Sequence, residues 1–339
     1  MIDLENREIM INYLLEKKVI SNDEPYEVNY CKGGVSCVAA LIETCGKTML
    51  VKQGRAKLAV KEDWRADPGR MEVEAKANDF YNRYIPESAP AVITYDEENC
   101  IMIREAAPAD CRMWKEDLLD GIFDFEVAKK TMEALAVVHN KSADNEEAAK
   151  NFANMDVFYQ LRISPYFEFL ATKHPEIKGV IEDMIPKIRD RHEVIVHSDY
   201  SPKNILVNKD RSICILDYEI AHYGNPAFDV AFFTNHIVLK SAHMRQFSAA
   251  ILNMLLYMTD TYFGMINFTD AKKLEEECIP LLGILMIARI DGKSPAEYIT
   301  SEKTKQLVRD MAMKFIYGEV KTYREAAAVL LKMEQEAGI

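Results

Sequence analysis

Long apolar runs are missing from the 339-residue chain, and no stretch approaches the length needed to span a membrane. Low-complexity and extended polar tracts are missing too, which argues against extensive disorder. Positive charge is scarce: 42 Lys and Arg stand against 54 Asp and Glu, a formal net charge of −12, with a pI near 5.2. Nucleic acid and anionic membranes call for clustered cations, so neither is an expected partner. Residues 1–8 lack the basic start and apolar run of a secretory leader, and the expected location is the cytoplasm. Metal-ligand spacing is absent among the cysteines: Cys31, Cys37, Cys45, Cys100, Cys111, Cys214 and Cys278 are scattered and odd in number, and read as reduced thiols.

What is present is ordinary globular material, 49% hydrophobic and 28% charged. A chain of this length outgrows one core, so two lobes are expected. Apolar spacing predicts a helix over 4–20, then β-like runs at 26–30, 37–43 and 48–52, separated by Gly33-Gly34 and Cys45-Gly46. A helix over 70–84 and short strands at 91–95 and 100–104 follow. From Asp110 onward helical periodicity dominates, over 125–139, 155–172, 177–189, 247–263, 271–288 and 302–315, with one β-rich insertion between 194 and 218. Pro165 and Pro186 are expected to kink or break two of these helices. Tyr159, Tyr166 and Phe169 fall at helical spacings that read as core. The fold class is therefore α+β, with a five-stranded antiparallel lobe over residues 1–105 and a larger, mainly helical lobe over 106–339.

The most informative segment runs from Val194 to Val207 and holds His197, Asp199, Lys203 and Asn204; a hairpin later come Asp217 and Glu219. Phosphoryl transfer needs a carboxylate at the acceptor hydroxyl and oxygen ligands on a metal, because its catalysis is positioning plus neutralisation of phosphate charge. Asp199 is the candidate for the acceptor hydroxyl and its proton, Asn204 and Asp217 for the first metal, and Glu219 for a second. Any one of these acids alone would pass for a turn or strand-end residue; the ordered set is the signal. A metal site on His197 and His192 lacks partners at ligand spacing, and His197 reads instead as a support of the loop. Upstream, Lys52 at the end of a strand is the candidate for gripping nucleotide phosphates, with Glu74 or Glu72 as its carboxylate partner; the two lie roughly 160° apart around a helix.

The pattern His-x-Asp-x(4)-Asn followed by Asp-x-Glu resembles the aminoglycoside phosphotransferase and choline kinase superfamily, including its methylthioribose kinase branch. The resemblance implies a two-lobed protein-kinase-like fold, with Glu219 standing where protein kinases carry a glycine. Val51-Lys52-Gln53, Trp64, Arg70 and Glu74 follow the order found in methylthioribose kinases, which selects Glu74 over Glu72. In that branch the tryptophan loop and arginines of the helical lobe surround the sugar, so Trp64, Arg70 and Arg289 are the matching or nearest substrate candidates. Asp291, in a loop punctuated by Gly292 and Pro295, is either a reader of substrate hydroxyls or half of an internal salt bridge. Gly33 and Gly34 sit where such kinases fold a turn over the phosphates, although a plain hairpin turn fits the same residues. Glu105 and Ala107 fall where backbone groups bind adenine, and Asp229 matches an acid that braces the catalytic loop. Asn204 is an asparagine that methylthioribose kinases replace, which leaves the acceptor open.

The expected function is a kinase that uses ATP, or GTP, with Mg to phosphorylate a hydroxyl of a small sugar-like or amino-alcohol metabolite, a methylthioribose-like sugar being favoured. An aminoglycoside-modifying phosphotransferase, a kinase-like nucleotide-binding protein without turnover and a metal-dependent hydrolase are the alternatives. A homodimer is admitted.

Overall fold

The structure, a computed structural model, describes residues 1–31, 36–59 and 65–337. Its residues form two compact units: 1–109 together with 218–220, and 110–217 together with 221–339.

The first unit is a five-stranded antiparallel sheet with two main helices. Helix α1 (Arg7–Glu16) starts where the Asn6 side chain accepts from the backbone N–H groups of Glu8 and Ile9, satisfying donors that the first turn leaves unpaired. It lays Met10, Tyr13 and Leu14 on a core made by Val28, Ala40, Ile42, Val51, Ile101 and Ile103. The strands are β1 (Tyr26–Tyr30), β2 (Cys37–Thr44), β3 (Lys47–Gly54), β4 (Val92–Asp96) and β5 (Ile101–Glu105), in spatial order β1-β2-β3-β5-β4. Gly46, at φ 95°, makes the tight β2–β3 turn. Central strand β3 places Lys52 between Ala39 of β2 and Met102 of β5. Helix α2 (Arg70–Tyr84) covers the sheet with a buried face that includes Arg70, Met71, Glu74, Ala75 and Asn78.

The second unit opens with a two-residue strand β6 (Arg112–Met113) and the short helix α3 (Trp114–Leu119). Then come α4 (Phe125–Ser142), α5 (Glu146–Asn151), α6 (Asp156–Phe158), a π-helical stretch Tyr159–Glu168, α7 (Phe169–Lys173) and α8 (Lys178–Arg189). The predicted helix over 155–172 is thus three pieces. Pro165 lies inside the π-helical one, where its missing N–H removes a rung of the α-helical ladder. Tyr159 is a correction to the sequence reading: it is solvent-exposed, with its hydroxyl on Glu168, not core. Strands β7 (Val194–Val196), β8 (Ile205–Val207), β9 (Ile213–Ile215) and β10 (His222–Gly224) form the β-rich insertion, β7 pairing with β10 and β8 lying between β6 and β9. Helices α9 (Ala227–His243), α10 (Ser248–Met265), α11 (Ala271–Asp291), α12 (Glu302–Ile316) and α13 (Tyr323–Glu336) complete the unit. Helix α9 is absent from the sequence expectation because every residue from Ala227 to Ala242 is buried, and a helix buried all round has no amphipathic period. Among the described residues, no helix is long and apolar enough to cross a membrane.

Candidate active site

In the second unit, the buried strand β7 delivers His197, Ser198 and Asp199 into a sharp bend. Ser198 adopts φ 66°, a left-handed conformation that a non-glycine residue keeps only when its surroundings hold it. Asp229, in the first turn of α9 and wholly buried, does the holding: Oδ2 accepts from His197 N at 2.7 Å and Oδ1 from Ser198 N at 2.8 Å. Behind it, His139 Nε2 lies 3.4 Å from Oδ2, and the Nδ1 of the same ring lies 2.7 Å from the Tyr262 hydroxyl.

His197 fastens the two polar clusters together. The Asp199 N–H donates to its Nδ1 at 3.2 Å, so the ring proton sits on Nε2 and is donated to the Leu216 carbonyl at 3.1 Å. Burial pushes the His197 pKa down, which keeps the ring neutral as this pair of bonds requires.

Asp199 is buried between two cations. Its Oδ1 is 2.7 Å from Arg162 Nη2 and its Oδ2 is 2.9 Å from Lys203 Nζ. Burial alone would raise its pKa, but the charges of Lys203 and Arg162 outweigh that, and the carboxyl is held below the usual carboxylate range. Asp199 is therefore ionised at neutral pH, fixed in orientation and ready to accept a hydrogen bond from a hydroxyl. Arg162 was not legible from the sequence: it lies 37 residues earlier, on the π-helical stretch, and also donates through Nε to the Ser198 carbonyl at 2.7 Å. No local spacing links it to the loop.

Asn204 closes the loop. Its Nδ2 donates to both the carbonyl and Oδ2 of Asp199 at 2.9 Å, which leaves Oδ1 as its acceptor. The β8–β9 register pairs Ile205 with Ile215, and Leu216 N donates to the Asn204 carbonyl at 2.9 Å, so Asn204 and Asp217 emerge from the same end of one hairpin. Asp217, at φ 71°, is a second strained non-glycine residue.

The first unit builds a separate ion pair. Lys52 Nζ lies 2.9 Å from Glu74 Oε1 and 2.7 Å from Oε2, both residues being buried. The rival Glu72 faces solvent and pairs with Lys76 one turn on, at 2.7 Å. Glu74→Gln is expected to cost about 3 kcal/mol or more of stability, because it strands a buried ammonium. Glu72→Gln, which breaks an exposed i,i+4 pair, is expected to cost about 0.3–0.5 kcal/mol. Urea denaturation of the two variants checks this.

Glu219 packs with the first unit, its Oε2 held by Arg70 Nε at 3.0 Å. Arg70 is thereby spent: it is 1% exposed, and its guanidinium also donates to the carbonyls of Asp67, Ala66 and Ser36. It positions Glu219 instead of facing a sugar. Asp291 is likewise committed to the salt bridge its sequence allowed, with Arg309 Nη2 and Nε each at 2.8 Å and His174 Nε2 at 3.0 Å. Arg289 donates to the Ser294 hydroxyl at 2.7 Å, while its Nε is buried without a partner. The N–H of Glu105 is bonded to Ala91 O and that of Ala106 to Thr48 O; Ala107 follows them. Gly33, Gly34 and Trp64 lie outside the described residues.

An antiparallel sheet bearing a helix-paired lysine, and a helical unit bearing a braced aspartate loop and a metal-competent hairpin end, are the parts of a kinase-like phosphotransferase. Residues 143–256 match the family described as Phosphotransferase enzyme family (APH), so this part of the chain resembles that family's domain. Two curated relatives are methylthioribose kinases. That of Bacillus mycoides is 22% identical over 271 residues, 70% of this chain and 68% of the relative. That of Bacillus cereus is 22% identical over 244 residues, 64% of this chain and 61% of the relative. Among solved structures, the chain resembles an ethanolamine kinase of Plasmodium vivax at TM-score 0.55 and 13% identity, covering 98% of this chain and 89% of that one. It also resembles an amicoumacin kinase at TM-score 0.56 and 10% identity, covering 94% and 97%. These likenesses show the kinase-like fold. They lend nothing to the homodimer.

Proposed function

We propose that this phosphotransferase moves the γ-phosphoryl group of Mg–ATP directly to a hydroxyl of a small, sugar-like metabolite. The observation that carries the reading is Asp199: a buried carboxylate kept ionised by Arg162 and Lys203, in a loop whose bend is fixed by Asp229. In-line transfer through a loose transition state asks for a fixed hydroxyl more than for a strong base, and Asp199 is suited to that task.

The oxygen donors suit a hard divalent cation. Asn204 has its amide nitrogen bonded to Asp199 and offers Oδ1; Asp217 offers a carboxylate at the hairpin end; Glu219, tied to Arg70 through Oε2, offers Oε1. A Mg ion held by such oxygen donors would neutralise charge on the phosphates. The Glu74-held Lys52 is assigned to the α- and β-phosphates, and the backbone of Glu105 and Ala107 to adenine. The solved neighbours include an amicoumacin kinase with AMP-PNP and Ca2+, which supports a nucleotide with a divalent ion. The methylthioribose kinase relatives support a sugar-like acceptor, and a cytoplasmic location is the setting such a metabolite implies.

The test is ADP release from Mg–ATP by the purified chain with methylthioribose, pentoses, hexoses, choline, homoserine and aminoglycosides. Acceptor-dependent release that Asp199→Ala removes is the expected result. Nucleotide binding without release on any acceptor would favour a binding protein instead.

A further inference from the structure

Beyond the catalytic loop, the second unit gathers two cations, Lys240 and Arg289, that form no ion pair with a carboxylate among the described residues. Along α9, Asp229, Phe232, His236, Lys240 and His243 follow one another at helical spacing, so the face that braces the loop continues as a basic stripe. Lys240 is 1% exposed. Its ammonium donates to the His236 carbonyl at 3.3 Å and lies 5.5 Å from the Tyr298 ring centroid. Among the described residues no carboxylate forms an ion pair with it.

Three more polar atoms around it are buried without partners: His236 Nε2, Arg289 Nε and the Tyr298 hydroxyl. The stripe is joined to Asp199 by contact. Arg162, the Asp199 partner, lies 5.1 Å from the Phe232 ring centroid and 5.5 Å from that of Tyr166, and Phe232 lies 5.2 Å from the His236 ring. On the far side, Lys115 pairs with Glu297, the neighbour of Tyr298, and His243 lies 5.2 Å from the Tyr298 ring.

A buried ammonium with no counter-ion and a set of orphaned donors is a costly arrangement for a fold to keep. It is kept where a ligand supplies the missing charge. Resting on the kinase reading above, we propose that the acceptor carries an oxyanion, a carboxylate or a phosphate, bound by Lys240, His236 and Arg289 while its hydroxyl end meets Asp199.

The local electrostatics agree. Burial, then Lys115 and Arg289, bring the Lys240 pKa down to about 7, with Glu297 opposing. Burial, then Arg289, Lys240, Lys203 and Lys115, hold His236 well below its ordinary value. Burial would raise the Tyr166 phenol, yet Arg289 and Arg162 pull it down. A polycationic aminoglycoside would meet repulsion here, whereas an oxyanion favours the charged form of Lys240 and pairs with it.

Lys240→Met and Lys240→Arg, on the full chain, test this. Thermal denaturation is followed with inorganic phosphate, D-gluconate or ribose 5-phosphate, and with ribose and choline as uncharged and cationic controls. Without ligand, Lys240→Met is expected to melt higher than the native chain, since it removes an unpaired buried charge; a lysine needed for structure would melt lower, and that result overturns the proposal. The anions are expected to raise the melting temperature of the native chain and of Lys240→Arg but not of Lys240→Met. An equal rise in all three is a general salt effect and overturns it too.

In ADP release, an anionic acceptor is expected to turn over with a KM about 10–100-fold higher in Lys240→Met and little change in kcat. Whether D-gluconate or ribose 5-phosphate is the better acceptor tells carboxylate from phosphate. Turnover of neutral or cationic acceptors alone, with KM unchanged in Lys240→Met, overturns the anion site and leaves the kinase reading standing. Anion-dependent stabilisation lost in Lys240→Met, with no ADP release from any acceptor, upholds the site and removes the kinase reading.

Discussion

Asp199→Asn is expected to lower kcat by about 10²–10⁴-fold, the range that a positioned acid or base supplies, while leaving the affinity for Mg–ATP within about 3-fold. The substitution keeps the volume of the side chain but removes its charge. Arg162 and Lys203 lose their counter-ion, and one of the two donor contacts, at 2.7 Å and 2.9 Å, must now face an amide N–H. A hydroxyl loses both its acceptor and its fixed direction. Asp217→Ala is expected to behave differently, weakening nucleotide binding as well as turnover, because on the proposed reading it removes a ligand of the metal. Isothermal titration with Mg–ATP analogues beside single-turnover kinetics separates the two; equal loss of nucleotide in both variants would undo this division of roles.

The charge state of Asp199 adds a pH signature. Its folded pKa lies below the unfolded one, so its contribution to stability is present above the unfolded value and is lost as pH falls through the folded value. The acid limb of kcat/KM is accordingly expected below that of an ordinary aspartate, and Asp199→Asn should flatten the corresponding acid limb of the stability curve.

Asp229→Asn is the second large effect. Two carboxylate oxygens accept from two consecutive backbone N–H groups, at 2.7 Å and 2.8 Å. An amide has one oxygen, so either His197 N or Ser198 N is left facing another donor in a site closed to water. The expected cost is about 2–3 kcal/mol of stability. Because the left-handed Ser198 loses its brace, Asp199 is also misplaced, and kcat is expected to fall by about 10²-fold, the price of an ångström of misalignment at a reacting group. Rescue of stability by lower temperature without rescue of kcat would show that positioning, and not folding alone, is what Asp229 provides. Retention of full activity would remove it from that role.

Much of the frame was readable along the chain. The strands at 26–30, 37–44 and 47–54 stand where runs at 26–30, 37–43 and 48–52 were expected, and the predicted helix over 70–84 appears as Arg70–Tyr84, because each depends on residues a few positions apart. The β-rich insertion stood out for the same reason, with short apolar strands framing polar turns. Helix α9 did not, since burial on every side erases the period that marks a helix, and Asp229 was visible only as one acid among apolar neighbours.

Side-chain roles divide along the same line. The order Asp199, Asn204, Asp217, Glu219 is local, so the expectation of phosphoryl transfer came from sequence spacing. Which partner each group meets was not. Glu72 and Glu74 are two residues apart, yet only the face that α2 buries brings one of them to Lys52. Arg70 and Asp291 are plausible ligands for a sugar until tertiary contacts consume them on Glu219 and on Arg309. Arg162 and Lys240 carry no motif at all; one acquires its meaning by reaching Asp199 across 37 residues, the other by being buried with no ion-paired carboxylate among the described residues. Sequence by itself pointed to a reaction class, because catalytic loops are short and contiguous. The tertiary structure alone decided which charges are paired and which are left for a ligand, because Coulomb interactions depend on distance in space and on burial, and neither is a property of position along the chain.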